Sequence, residues 1–169
     1  MMKRFSFLTG FLAVFMMAVS FTSCGDDDEN EPQSVYTAQA EINYKIGSMK
    51  NIADITLEYY DENGKLQSIP MEGNFSRKIT YTKLPAKVGF RVIPVPKSSL
   101  PEAEDYDINY EVAITVYALK DGEIMNWKDF KLRMDANMMA VYVQNELQRT
   151  YTDKYFATVD GEGTITESE

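Results

Sequence analysis

The sequence contains no histidine and a single cysteine, Cys24, in 169 residues. The absence of histidine excludes Ser-His-Asp and Cys-His catalytic sites, as well as zinc or iron sites built on imidazole. A lone cysteine cannot form a disulfide within its own chain, so it is a free thiol, an intermolecular bridge or a modified residue. Paired carboxylates could serve a glycosidase, but among 26 acidic residues such pairs arise on any solvated surface. We therefore expect no enzymatic activity, no metal site and no bound cofactor.

Basic residues are also scarce: the chain has 17 Lys and Arg but 26 Asp and Glu, and its net charge is −9. Two of these basic residues, Lys3 and Arg4, lie at the N-terminus, before the first acidic residue. From Cys24 onward the net charge is therefore −11, from 15 basic and 26 acidic residues. An acidic surface repels phosphate backbones, so we do not expect a nucleic acid partner.

The first 23 residues have the pattern of a signal peptide. Lys3 and Arg4 precede an uncharged run from Phe5 to Phe21, which is shorter than the roughly 20 residues that a spanning helix needs. Phe21-Thr22-Ser23-Cys24 then resembles the lipobox of bacterial lipoproteins, with Phe21 where Leu is usual and Ser23 where Gly or Ala is usual. The resemblance implies cleavage after residue 23 and acylation of Cys24. The covalent lipid would attach the protein to a membrane, at about 0.8 kcal/mol per buried methylene.

An acidic run, Asp26-Asp27-Asp28-Glu29, follows the cysteine closely. Residues 24–34 contain too little apolar surface to pack, and we expect them to form a solvated tether. The run also resembles the surface-export signal of Bacteroidota lipoproteins. This resemblance implies an outer membrane lipoprotein exposed on the cell surface, while retention on the periplasmic leaflet stays open.

From Val35 onward the apolar residues alternate with polar ones, as in half-buried β-strands. The most regular segment is 108–119, in which Ile108, Tyr110, Val112, Ile114 and Val116 share one face. Asp121-Gly122 predicts a two-residue hairpin turn after it, and the return strand is expected to run from Glu123 to about Met134. Trp127 and Phe130 are three residues apart, so both can face the core only if a β-bulge lies between them.

The remaining segments predict further strands and one helix. Ala53, Ile55, Leu57 and Tyr59 alternate before an Asn63-Gly64 turn of unknown loop length. The other expected strands are 75–84, 86–95 with Val88, Phe90 and Val92 in the core, and a last hairpin that turns at 160–163. Asp135 could cap a short helix near 136–148, although Ala140 to Val143 could instead be a strand; we expect the helix.

Seven to nine short strands indicate a mainly β fold, an antiparallel β-sandwich over residues 35–169 with one short helix near 136–148. The stretches ITLEYYDENGKL and LPAKVGFRVIPVPK resemble the immunoglobulin-like or transthyretin-like sandwiches of Bacteroidota lipoproteins. This resemblance implies a fold and no functional residues. The expected organisation is a lipoprotein signal peptide at 1–23, a lipidated acidic tether at 24–34 and the sandwich at 35–169.

Three aromatic residues, Tyr60, Tyr117 and Trp127, are the candidates for ligand binding, because each lies opposite a predicted core face. The alternative is that they form ordinary cross-strand pairs on a sheet surface. The sequence therefore predicts a non-enzymatic cell-envelope lipoprotein that binds a glycan or protein partner. The alternative is a structural subunit of an adhesin or fimbria-like assembly that adds a strand from a neighbour at an exposed sheet edge.

Overall fold

The computed structural model describes residues 34–168, which form nine β-strands, one α-helix and one 3₁₀ helix. The predicted signal peptide and residues 24–33 of the predicted tether, including Cys24, lie outside the described residues. In chain order the elements are β1 (Tyr36–Lys45), the 3₁₀ helix (Gly47–Asn51), β2 (Ala53–Tyr60), β3 (Leu66–Met71), β4 (Phe75–Tyr81), β5 (Ala86–Pro96), β6 (Asp105–Lys120), β7 (Glu123–Met139), α1 (Ala140–Tyr151), β8 (Asp153–Val159) and β9 (Ile165–Ser168).

The strands form two antiparallel sheets that pack as a β-sandwich, which confirms the predicted fold class. Sheet A has the order β4-β1-β6-β7, and sheet B has the order β3-β2-β5-β8-β9. Every neighbouring pair is antiparallel. Sequence neighbours β1 and β2 lie in different sheets, so the 3₁₀ helix between them carries the chain from one layer to the other.

The core lies between the sheets and is built by period-two alternation, as predicted. The buried residues of β6 include the five predicted ones, Ile108, Tyr110, Val112, Ile114 and Val116, and those predicted in β2 and β5 are buried as well. Ile114 lies opposite Ile42 of β1 on one side and Phe130 of β7 on the other. Full burial of such an apolar side chain stabilises the fold by roughly 1.5–3 kcal/mol.

The β6–β7 hairpin turns at Asp121-Gly122, as predicted, and both residues have positive φ, 52° and 88°. Its return strand is longer than expected, because it reaches Met139 rather than about Met134. No β-bulge lies between Trp127 and Phe130, so these two residues do not share the core face. The register shift lies between the pairs Leu119–Ile124 and Ala118–Asn126, which leaves Met125 as the extra residue.

The two aromatic residues of β7 consequently face different environments. Phe130 packs between the sheets, with its ring centroid 5.9 Å from that of Phe90 and 5.6 Å from that of Tyr155. Trp127 lies on the outer face and is 58% exposed. An odd spacing without a bulge between them places side chains on opposite faces of a strand.

The predicted helix exists, but it spans Ala140–Tyr151 rather than 136–148. Asp135 does not cap it, because Asp135 lies within β7 opposite Asn109. Pairing with β6 continues as far as Met139, since the 16 residues of β6 provide backbone partners that favour strand over helix there. The helix starts where that ladder ends, and its buried residues Val143, Leu147 and Tyr151 are spaced by four.

The helix α1 lies beside the C-terminal half of β5. The pairing of β5 with β8 ends at Val92, so Pro94 and Pro96 have a strand partner only on the β2 side. This agrees with the expectation that proline lies where no ladder hydrogen bond is needed. The Gln144 amide donates a hydrogen bond to the Lys97 carbonyl at 3.0 Å, which ties α1 to the end of β5.

The β2–β3 loop has five residues, Asp61 to Lys65, and it is organised by the Asp61 carboxylate. This group accepts the backbone N–H groups of Asn63 at 3.0 Å and Lys65 at 2.9 Å. The hydrogen bond from Lys65, with that from Asn63, holds the pKa of Asp61 below its ordinary value. Gly64 supplies the positive φ, 73°, that the predicted turn requires.

Candidate functional site

The three predicted aromatic candidates lie on two different surfaces. Tyr60 belongs to β2 of sheet B, where its ring meets that of Phe156 edge-on at 5.9 Å. Tyr117 and Trp127 belong to sheet A and are direct cross-strand partners in the β6–β7 ladder. The structure therefore brings Tyr117 and Trp127 together and separates Tyr60 from them.

Tyr117 and Trp127 form the centre of a shallow depression of about 510 Å³ on sheet A. Thr115, Ile124 and Asp129 complete its lining, and we call these five residues the aromatic face. Thr115 and Asp129 are also cross-strand partners, one outward-facing pair along from Tyr117 and Trp127. The aromatic face thus combines two rings with a hydroxyl group and a carboxylate at its side.

Ile124 reaches this surface because of the bulge in β7. Ile124 and Trp127 are three residues apart, and regular alternation would place them on opposite faces. The extra residue, Met125, shifts the alternation by one, so that both side chains line the same depression. The sequence contains no clear signal for this bulge, and Ile124 was not among the predicted site residues.

The rest of the outer face of sheet A is polar, with paired charges. Lys78 lies 3.1 Å from Glu41, and Glu111 lies between Lys45 at 3.4 Å and Lys131 at 3.5 Å. Partial desolvation opposes ionisation of Glu111, but the two ammonium groups together hold the pKa of this carboxyl below its ordinary value. Exposed large apolar side chains of sheet A lie near the β6–β7 turn, at Ile124, Met125 and Trp127, and at the far end of β7, at Met139.

The start of β1 lies at the end of sheet A that carries the β6–β7 turn. The Val35 N–H donates to the Asp121 carboxylate at 2.8 Å, and the Asp121 N–H donates to the Val35 carbonyl at 2.9 Å. The Lys120 ammonium lies 5.7 Å from the centre of the Tyr36 ring. These contacts fix the start of β1 against the β6–β7 turn, a short distance along the sheet from Trp127.

A hydrogen-bonded pair, Tyr110 and Asp153, lies where β6 of sheet A faces β8 of sheet B. The Tyr110 hydroxyl donates to the Asp153 carboxylate at 2.5 Å, and Tyr110 is 2% exposed. Burial raises the pKa of Asp153 above its ordinary value, although the hydrogen bond from Tyr110 opposes the shift. We interpret this pair as a link between the sheets, since Tyr110 is enclosed by the rings of Tyr44 and Tyr151.

Cys24 and the predicted export signal, Asp26 to Glu29, lie outside residues 34–168 and have no structural description. Within 34–168, no group of three or more Cys, Asp or Glu side chains is arranged to hold a metal ion. Neither helix in this part of the chain combines the length and apolarity needed to cross a membrane. Comparison with models of known protein families and with curated proteins gives no match.

Proposed function

We propose that this protein is a non-enzymatic lipoprotein of the cell envelope that binds a carbohydrate on the aromatic face of sheet A. The observation that carries the proposal is Trp127, which is 58% exposed and lies directly across the ladder from Tyr117. An exposed apolar group with polar residues around it is a common mark of an interaction site. Core packing does not explain Trp127, because the neighbouring Phe130 fills the interior position.

A sugar ring matches the chemistry of the aromatic face. Its C–H faces are apolar and its rim carries hydroxyl groups, so it can stack on the rings of Tyr117 and Trp127. The Asp129 carboxylate and the Thr115 hydroxyl lie where they can exchange hydrogen bonds with that rim. The depression is wide and shallow, which suits a segment of a polymer better than a small molecule that requires an enclosed cavity.

The tether limits where such a glycan can lie. If Cys24 carries the lipid, the ten residues 25–34 span at most about 36 Å when fully extended. Val35 is fixed to Asp121 at the end of sheet A that carries the aromatic face. The ligand is therefore a glycan close to the membrane surface, and display on the outside of the cell gives access to it.

Tryptophan fluorescence tests the binding site directly, since Trp127 is the only tryptophan in the chain. We expect the emission to shift saturably with at least one member of a panel of envelope and extracellular polysaccharides. Tyr117→Ala should weaken that binding roughly tenfold, because one stacking surface is lost. Tyr60→Ala, on the other sheet, is the matched control and should leave binding unchanged.

Two outcomes would contradict carbohydrate binding. One is the absence of a spectral change with every glycan at millimolar concentration of sugar units. The other is a change that Tyr117→Ala and Tyr60→Ala affect equally, which would place the ligand elsewhere. A protein partner would instead be recognised by capture that Trp127→Ala abolishes and that free polysaccharide does not compete.

A further inference from the structure

The outer strand of sheet A, β7, has a partner strand on one side only within residues 34–168. It extends over 17 residues and pairs with β6 along nearly all of that length. In the sheet order it occupies the end position. A long edge of this kind presents a row of free backbone N–H and C=O groups that can pair with another strand.

Two hydrogen bonds show which residues of β7 face the open side. The Trp127 N–H donates to the side-chain oxygen of Asn126 at 2.9 Å instead of to β6. The Ala140 N–H, directly after the strand, donates at 2.9 Å to the carbonyl of Glu104, directly before β6. Backbone direction alternates along an antiparallel strand. The even-numbered residues therefore bond to β6, and the odd-numbered residues from 127 to 139 face the open edge.

The side chains along this edge restrict the kind of strand that fits. The outward-facing positions carry the charge order minus, plus, plus, minus, at Asp129, Lys131, Arg133 and Asp135. The inward-facing positions from 130 to 138 carry partly buried apolar side chains. Four of them pack against the core, Phe130, Leu132, Met134 and Met138, and the fifth is Ala136. A matching strand needs apolar residues on the inner side and the complementary charge order on the outer side.

We propose that β7 pairs antiparallel with β7 of a second copy of this chain, with Met134 opposite Met134. On the outer side this register places Arg133 opposite Asp135 of the second copy, twice by symmetry. On the inner side it pairs apolar residues only: Leu132 with Ala136 and Phe130 with Met138. The two four-stranded A sheets then form one continuous sheet of eight strands.

The charge order distinguishes this register from its neighbour. Centring the pair on Leu132 would place Lys131 opposite Arg133 and Asp129 opposite Asp135, and like charges directly opposite each other are destabilising. In the Met134 register, the odd-numbered residues also face one another, so their open-side N–H and C=O groups pair.

The proposed pair also brings together two exposed apolar groups at opposite ends of β7. Met139, Val141 and Tyr142, at the end of β7 and the start of α1, are 54%, 73% and 50% exposed. Because position 139 lies opposite position 129, this group lies beside Trp127 of the second copy. Strand addition occurs in the plane of the sheet, so the outer surface of the aromatic face stays accessible, and the pairing does not depend on carbohydrate binding.

Cysteine trapping in the full chain tests the register. Across the proposed interface Met134 forms a non-hydrogen-bonded pair with itself, in which the Cα atoms are about 4.5 Å apart, within the range for a disulfide. We expect Met134→Cys to give a covalent dimer in intact cells under mild oxidation. Leu132→Cys alone and Ala136→Cys alone should not, but co-expression of these two variants should. The parent chain, with Cys24 only, is the control for unrelated cross-linking.

Charge exchange tests the same contact without cysteine. Arg133→Asp should weaken dimerisation roughly tenfold in sedimentation of the detergent-solubilised full chain, because two cross-strand pairs become repulsive. Adding Asp135→Arg should restore it. Lys87→Asp makes the same charge change at an exposed position of sheet B and should have no effect on dimerisation. Asn137→Pro removes one open-side N–H and should also weaken dimerisation. The chain should still fold, since proline is tolerated at a strand edge.

Three results would overturn the proposal. The first is a parent chain that sediments as a monomer at every concentration tested. The second is equal trapping by single cysteines at positions 132, 134 and 136. The third is an equal effect of Arg133→Asp and Lys87→Asp on dimerisation. The sedimentation of the parent chain decides the question even if a substituted chain fails to fold.

Discussion

The hydroxyl of Tyr110 donates a hydrogen bond of 2.5 Å to the carboxylate of Asp153, and this bond joins the two sheets of the sandwich. Another tyrosine nearby has the opposite property. The hydroxyl of Tyr44 is buried and has no hydrogen-bond partner among the described residues, although its ring centroid is only 6.3 Å from that of Tyr110. Two neighbouring phenols thus contribute differently to stability.

Tyr110→Phe should lower the free energy of unfolding by about 1.5–3 kcal/mol, the usual contribution of a hydrogen bond to a charged group. Tyr44→Phe should be neutral or stabilising, because it removes a buried polar atom that has no partner. Urea unfolding of the two variants beside the parent measures both effects. Equal losses in the two variants would show that ring packing, rather than the hydrogen bond, determines the result.

Asp153 should make the stability of the sandwich depend on pH, and a substitution of Asp153 isolates this effect. Burial raises the pKa of Asp153 above the ordinary value of 3.8, so the folded state holds this proton more tightly than the unfolded state does. The contribution of Asp153 to stability is therefore fully present below about pH 3.8 and is lost as the pH rises through the raised value. The stability of Asp153→Asn relative to the parent should therefore increase as the pH rises from 3 to 7. A difference that is constant over this range would contradict the raised pKa.

The central strand provides a test of core packing. Ile114 is fully buried between β1 and β7, and Ile114→Ala should cost on the order of 2–4 kcal/mol through lost burial and a cavity. Glu111→Ala on the outer face should cost much less than Ile114→Ala, because its ion pairs are exposed to solvent. Thermal unfolding of residues 35–169, which we expect to fold alone, measures both. Equal shifts would contradict the register of β6.

Acylation of Cys24 is tested by changing it to alanine and fractionating the cells. We expect the parent protein to be in the membrane fraction and Cys24→Ala to lose that association, because a single covalent anchor accounts for it. Mass spectrometry of the parent should show the lipid on Cys24. A variant that stays bound as firmly as the parent, with no lipid on the parent, would rule out the lipoprotein assignment.

Surface display should depend on the acidic run. Protease treatment of intact cells should digest the parent protein, whereas the triple variant Asp26→Ala, Asp27→Ala, Asp28→Ala should be protected if it stays on the inner side of the membrane. Lysed cells provide the control that both proteins are cleavable. Protection of the parent would contradict surface display, and equal digestion of both would show that the acidic run has no role in export.

The sequence by itself determined the features that depend on neighbouring residues. Alternation along 108–116 identified the buried face of β6, and Asp121-Gly122 identified the turn, since period-two burial and positive φ are local properties. Tyr117 and Trp127 were recognised as residues of a surface because each lies opposite a core face. These parts of the fold need no knowledge of which strands are neighbours.

Only the tertiary structure decided what depends on distant partners. The bulge at Met125 brought Ile124 onto the same face as Trp127, and pairing with β6 delayed the start of α1 to Ala140. Tyr110 and Asp153 are 43 residues apart and lie in different sheets, so no local pattern indicates their contact. Strand order likewise separated Tyr60 from Tyr117, because the two sheets turn their outer faces away from each other. Side-chain alternation is fixed along one strand, whereas register and strand order are set by the packing of the whole chain.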